Sequence, residues 1–104
     1  MNVKFFDSKT ERFIKMLDAQ TVARTLRTID LLEMFGHKLG FPHSKKVEPR
    51  IFELRVRGKQ EVRIFYTFHD GEAILLHGFI KKSQRLPRKE IEAARRTLKV
   101  LDSS

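Results

Sequence analysis

The chain has 104 residues, enough for one domain, and its 40% hydrophobic and 34% charged residues suit a globular fold rather than a disordered segment. It has no cysteine, which excludes disulfides and thiolate metal sites. The net charge is +9, and residues 45–99 hold 15 Lys or Arg against 7 Asp or Glu, so a polyanionic partner is expected, nucleic acid first.

The excess of positive charge fits two weaker interpretations as well. The basic surface could serve only solubility, or it could bind an anionic membrane. Membrane-surface binding favours large apolar anchors such as Trp, and this chain has no Trp. The start of the chain has no apolar signal core, and no apolar run approaches the length of a membrane span, so a cytoplasmic protein is expected.

The first half of the chain predicts a short strand followed by two helices. The strand candidate is NVKFF, residues 2–6, and Asp7 or Ser8 then caps a helix. A second helix is predicted over residues 19–35, with Gly36 as a suitable stop. Inward-facing apolar residues recur at helical spacing: Phe13, Ile14 and Leu17 in the first helix, and Val22, Leu26, Ile29 and Leu32 in the second.

The second half predicts three strands. Residues 37–50 contain several Gly, Pro and Ser residues and are interpreted as a loop. The segments IFELRVR, EVRIFYTF and AILLHGFIKK then follow, joined by a turn at 58–59 and by the Asp-Gly step of HDGE. The expected apolar face contains Phe52, Leu54, Val56, Val62, Ile64, Tyr66, Phe68, Ile74, Leu76, Gly78 and Ile80.

A final helix begins near Pro87, with an inner stripe of Ile91, Ala94, Leu98 and Leu101. The predicted order is therefore β-α-α-β-β-β-α. This is an α+β fold with an N-terminal helical hairpin, an antiparallel sheet and a C-terminal helix. We expect residues 1–104 to form a single domain.

The opposite face of the predicted sheet combines cations with aromatic rings. It holds Arg55 and Arg63 on neighbouring strands, with Lys81 beside them. Such a surface can clamp phosphates and stack bases. The accompanying residues that we assign to RNA binding are Lys45, Lys46, Arg57, Phe79, Lys82 and Arg85.

Several of these residues could instead have a purely structural role. Arg55 could pair with Glu61 across the strands, and Phe79 could cover a small second core together with Phe65. Tyr66 falls on the apolar face, which favours a packing role over a catalytic one. His77 fits a packed histidine and an acid–base group equally well.

Metal-dependent catalysis is poorly supported. The histidines His37, His43, His69 and His77 show no ligand spacing, and the carboxylates do not cluster. There is no Gly-rich phosphate loop and no nucleophile motif. We therefore expect no metal and no other cofactor, and any catalysis should be electrostatic.

Four motifs in the second half resemble the phage-derived branch of the RelE/HigB toxins of bacterial toxin–antitoxin modules. They are FELR at 52–55, VRIFY at 62–66, LLHGFIKK at 75–82, and LPRKEIEAAR at 86–95. The resemblance covers about residues 38–100, and the N-terminal helices fit it only in length and order. It implies a microbial-ribonuclease-like sheet with a concave basic face.

The resemblance also implies an activity. Toxins of this kind enter the ribosomal A site and cut mRNA without a metal, leaving a 2′,3′-cyclic phosphate and a 5′-hydroxyl. Arg55, Arg63 and Lys81 match the basic strand positions of the family, which assigns them to phosphate binding and transition-state stabilisation. The Tyr or His near the C-terminus of such toxins is missing from LKVLDSS, so His77 is the best candidate base. Glu53 and Tyr66 are weaker candidates, and a mechanism that uses only Arg and Lys remains open.

The implied partners are mRNA, the ribosome and a cognate antitoxin, expected to be a helix-turn-helix protein, with operator DNA contacted only through that antitoxin. A rival interpretation is a non-catalytic RNA- or ribosome-binding module on the same fold, and a third is a partner protein whose toxin activity has decayed. The enzyme would be favoured if one phosphate-sized pocket brings together Arg55, Arg63 and Lys81. Scattered cations would favour the binding module.

Overall fold

A five-stranded mixed sheet carries two helices on one face and one helix on the other. The computed structural model describes residues 1–104. The strand order is β1-β5-β4-β3-β2, with β1 parallel to β5 and all other pairs antiparallel. The elements are β1 (Val3–Phe5), α1 (Ser8–Lys15), α2 (Ala19–Phe35), a 3₁₀ turn (Gly36–Lys38), β2 (Ser44–Glu48), β3 (Ile51–Val56), β4 (Val62–His69), β5 (Glu72–Ile80) and α3 (Arg88–Asp102).

This architecture confirms the predicted α+β fold with its N-terminal helical hairpin and C-terminal helix. Asp7 caps α1 by accepting a hydrogen bond from the Lys9 backbone N–H. Gly36 ends α2 with φ 53°, and the β4–β5 turn has positive φ at Asp70 and Gly71, as an Asp-Gly hairpin requires. No helix combines the length and the apolar character needed to cross a membrane.

The prediction of a loop over residues 37–50 is wrong for its second half. Ser44–Glu48 forms β2, an edge strand antiparallel to β3, so the meander has four strands rather than three. Only Val47 is apolar in this segment, and two lysines follow Ser44, a composition typical of protected edge strands.

The predicted inward face of β5 is wrong at Ile74 and Leu76. The pairing with β4 shifts between Phe65, which faces His77, and Tyr66, which faces Leu75, so β5 carries one extra residue. Such a bulge exchanges the two faces of the strand. Leu75, rather than Ile74 or Leu76, therefore joins the larger core.

Two hydrophobic cores lie on opposite faces of the sheet. The larger one, under α1 and α2, has ten buried residues that include Leu54, Ile64 and Tyr66. The smaller one, under α3, comprises Ile51, Phe65, Phe79 and Ala94, with partly buried Ile91 and Leu98 packed on it. Because α3 packs on the face opposite α1 and α2, that face is open only at the end of the sheet beyond α3.

Candidate nucleic-acid cleft

The open end of the sheet holds a cleft of about 430 Å³ without any apolar lining residue. Strand pairing builds it, because Arg55 of β3 lies directly opposite Arg63 of β4, and Lys81 follows the last residue of β5. The lining residues are Arg55, Arg57, Glu61, Arg63, Lys81, Lys82, Ser83 and Gln84. Five cations against one carboxylate give this cleft a net positive charge, which favours an anionic ligand.

Glu53 forms ion pairs with both arginines on the buried side of the cleft. Its side chain lies 3.5 Å from Arg55 Nε and 3.5 Å from Arg63 Nε, and the residue is 5% exposed. Arg63 also donates to the Glu61 carboxylate and to the Val62 carbonyl, both at 3.2 Å. Adjacent guanidinium groups repel each other, so the buried carboxylate between them stabilises the pair.

The arginines nevertheless keep unused donors. Arg55 Nε and Nη1 and Arg63 Nε make no hydrogen bond with another group of the chain, although all three atoms are buried. Unpaired buried donors are uncommon in folded proteins. Both Nε atoms lie 3.5 Å from the Glu53 carboxylate, so Glu53 balances the charge of the two guanidinium groups without accepting a hydrogen bond from these atoms.

An aromatic ring stands at the cleft, but it is Phe41 rather than Phe79. The guanidinium carbon of Arg55 lies 4.8 Å from the centroid of the Phe41 ring, and Phe41 is 73% exposed. Sequence reasoning missed Phe41, because it lies in a Gly- and Pro-containing stretch with no periodicity. Phe79 is 5% exposed and packs against Phe65 in the smaller core, so it presents no ring face to a base.

His77 lies outside the cleft, contrary to its predicted place beside the cations. It is four residues before Lys81 on β5, roughly 13 Å along the strand. Its Nε2 lies 2.7 Å from the Glu90 carboxylate of α3, and it lines a separate cavity between α1 and α3. The register of β5, which pairs His77 with Phe65 rather than with Arg63, therefore places it outside the cleft.

The weaker candidate bases divide between the two faces. Tyr66 faces the larger core, where its hydroxyl lies 2.5 Å from the Ser44 hydroxyl and burial raises its pKa. Glu53 lies under the arginines. Glu61 is the carboxylate that lines the cleft itself, with a third of its side chain exposed. The sequence indicates Glu61 only as an ion-pair partner of Arg55. It lies just before β4, where the pattern of apolar and polar residues does not distinguish it from a residue of the turn.

The remaining residues assigned to RNA binding are distributed unequally. Arg57 and Lys82 line the cleft. Lys45 is exposed on β2 opposite Glu53, whereas Lys46 lies over the Phe52 ring, on the face of the larger core. Arg85 is exposed in the segment before α3 and does not line the cleft.

Comparison with known proteins identifies the family. The family described as Phage derived protein Gp49-like (DUF891) matches residues 12–99, which include α2, the antiparallel strands and most of α3. No curated protein matches the chain. The match spans most of the sequence, and the chain therefore belongs to the phage-derived Gp49-like family.

Proposed function

We propose that this protein is the toxin of a toxin–antitoxin module and that it cleaves mRNA on the ribosome without a metal. The observation that carries the proposal is the convergence of Arg55, Arg63 and Lys81 in one cleft. Membership of the Gp49-like family and the likeness of four motifs to RelE/HigB toxins support it.

The proposed reaction is an attack of the mRNA 2′-oxygen on the adjacent phosphorus. The new P–O2′ bond forms as the P–O5′ bond breaks, giving a 2′,3′-cyclic phosphate and a 5′-hydroxyl. Negative charge builds on the nonbridging oxygens, and the guanidinium groups of Arg55 and Arg63 are preorganised to stabilise it. One proton leaves the 2′-hydroxyl and another reaches the 5′-oxygen.

Glu61 is the best-placed acceptor for the first proton, because it is the only acid–base group other than the cations among the residues that line the cleft. The ammonium groups of Lys81 and Lys82, which also line the cleft, are the candidate donors for the second. This assignment replaces His77. We expect Glu61→Gln to lower kcat by about 10²-fold or more, because an amide cannot accept the proton.

A second candidate function is binding of ribosomal RNA or mRNA without cleavage. It is favoured by the ion pairs of two carboxylates: Glu61, which lines the cleft, contacts Arg57 and Arg63, and Glu53, which lies under the arginines, contacts Arg55 and Arg63. Both carboxylates are thus already ion-pair partners of the cations, a structural role that requires no cleavage.

The deciding experiment measures cleavage of mRNA on programmed ribosomes, with the chemistry of the new 3′ end determined in the presence of a chelator. Lys81→Gln is the informative variant, because Lys81 is only half-buried whereas Arg63 is part of the core of the site. Lys4→Gln is the matched control. It removes the same charge from β1. Lys4 is paired with Ile74, near the end of β5 that is farther from Lys81.

We expect wild type and Lys4→Gln to leave a cyclic phosphate, and Lys81→Gln to cut about 10²–10³ times more slowly. Wild-type protein that binds the ribosomes and leaves the mRNA intact would establish the second candidate instead. The proposal also includes a cognate antitoxin, and toxicity on expression that co-expression of the neighbouring gene relieves would support that part.

A further inference from the structure

A second basic groove of about 300 Å³ lies around the edge of the sheet from the cleft, between α2 and the end of β3. Its nine lining residues include four arginines and a histidine and no carboxylate. Arg24 and Arg27 contribute from α2, and His43 from the segment before β2. We call this feature the α2 groove.

The α2 groove and the cleft are continuous. Arg55 and Arg57 line both of them, so the two positive sites share a wall. Neither Arg24 nor Arg27 has an ion-pair partner, in contrast to the arginines of the cleft. Two unpaired arginines on one helix face repel each other, and an anion bound between them would remove that cost.

The walls of the α2 groove are positioned by backbone features. The Arg55 N–H donates to the His43 carbonyl at 2.8 Å, which ties the segment before β2 to β3. Gly58 leaves the space that the Arg24 guanidinium occupies, because a Cβ there would collide with Arg24. Arg24 therefore lies against the β3–β4 turn beside Arg57.

Phe41 stands where the two sites meet. Its ring covers the Arg55 guanidinium, and most of it is exposed. An exposed ring beside a cationic track is the arrangement by which proteins stack one base of a single strand while they hold its phosphates.

We infer that the α2 groove binds the phosphate of a nucleotide flanking the scissile one, and that Phe41 stacks a base between the two phosphate sites. The inference rests on the proposed function, in which the cleft holds the scissile phosphate. The substrate is then a single RNA strand of several nucleotides that passes from Lys81 across Arg55 to Arg24 and Arg27.

Binding of a labelled, fully 2′-O-methylated hexanucleotide tests this path, because that strand cannot be cut and binding is then separate from catalysis. The groove variant is Arg24→Gln with Arg27→Gln. The matched control is Lys4→Gln with Arg12→Gln, which removes two charges elsewhere. We expect the groove variant to bind about tenfold more weakly and to reduce the salt slope of log K by about 0.7, because it loses one single-strand phosphate contact.

The same strand shortened to a dinucleotide should bind the groove variant and the control equally in competition, because its single phosphate cannot occupy the cleft and the α2 groove at once. Phe41→Ala should weaken hexanucleotide binding about tenfold with an unchanged salt slope, since stacking releases no counterion. Met34→Ala removes another exposed apolar side chain and should change neither quantity.

A groove variant that matches its control, while Arg55→Gln with Lys81→Gln still weakens binding, would overturn this inference and leave the proposed function intact. Weakening by the groove variant alone would support the α2 groove and count against the cleft as the RNA site. An unchanged affinity in every variant would refute both.

Discussion

Arg63 illustrates at the residue scale how stability and function share one group in this protein. Its side chain is 4% exposed, and Glu53 and Glu61 both contact it, so it belongs to the interior as much as to the cleft. A buried charge that loses its partner costs far more than an exposed one. Loss of activity on mutating Arg63 therefore does not separate catalysis from folding, and Lys81 is the better probe.

Glu53→Gln should lower the free energy of unfolding by about 2 kcal/mol. The substitution leaves Arg55 and Arg63 opposite each other without a charge between them, and Arg63 keeps Glu61, so the loss stays below that of a fully isolated buried charge. Urea unfolding measures it, with Glu11→Gln of an exposed ion pair as the control, expected below about 0.5 kcal/mol. Equal losses in the two variants would contradict the supporting role of Glu53.

Tyr66 should make stability depend on alkaline pH. Burial raises its pKa in the folded state, so its contribution is complete below the ordinary tyrosine pKa of about 10 and is lost as pH rises from there through the raised value. Tyr66→Phe should cost about 1 kcal/mol at neutral pH, because the Ser44 hydroxyl loses its partner. Urea unfolding should show this gap closing above about pH 10, and a gap that stays constant with pH would refute the prediction.

Hydropathy alone is misleading on α2. The helical spacing predicts that Leu26 faces the core, but Leu26 is 49% exposed, whereas Thr21, Thr25 and Thr28 are buried. Thr25 and Thr28 donate their hydroxyls to backbone carbonyls four residues earlier, which satisfies them without water. A hydropathy stripe cannot anticipate polar groups that are satisfied within their own helix.

At the scale of elements, the alternation of apolar and polar residues predicts the two faces of a strand only where polar residues interrupt the apolar ones. It located β3 and β4 and brought Arg55, Arg63 and Lys81 to one face. In β5 the apolar run Ala73–Leu76 has no alternation, so the bulge and the exchange of faces were invisible. The apolar stripe predicted for α3 is also correct at Ile91 and Leu98, which pack on the smaller core. Such a stripe does not indicate which face of the sheet the helix covers.

The contact between α1 and β5 depends on Gly78. A Cβ at this position would lie 2.7 Å from the Phe13 ring, and the ring is held against the larger core. Gly78→Ala should therefore lower the free energy of unfolding by about 1–3 kcal/mol through overpacking. Gly40→Ala is the control, because its Cβ would meet nothing within 4 Å. Thermal unfolding of the two variants compares them, and a stable Gly78→Ala would show that α1 can move away freely.

At the scale of the whole molecule, the sheet separates two cores of unequal size. Ten buried residues hold α1 and α2, whereas four hold α3 together with surface ion pairs of Arg95 with Glu48 and of Arg50 with Asp102. The cleft shares its face with the smaller core, since Arg63 is paired in register with Phe79. The order of the cleft floor therefore depends on how firmly α3 is docked.

We expect α3 to undock in an opening smaller than global unfolding. Native-state hydrogen exchange should show its amides exchanging at lower free energies of opening than those of β4, whose two faces contribute to both cores. Arg95→Gln removes the contact with Glu48 and should speed exchange in α3 severalfold while β4 stays unchanged. If α3 and β4 exchange together in both proteins, the two cores open as one unit. The cleft floor would then be as stable as the whole fold, because Phe65 and Phe79 could not lose α3 separately.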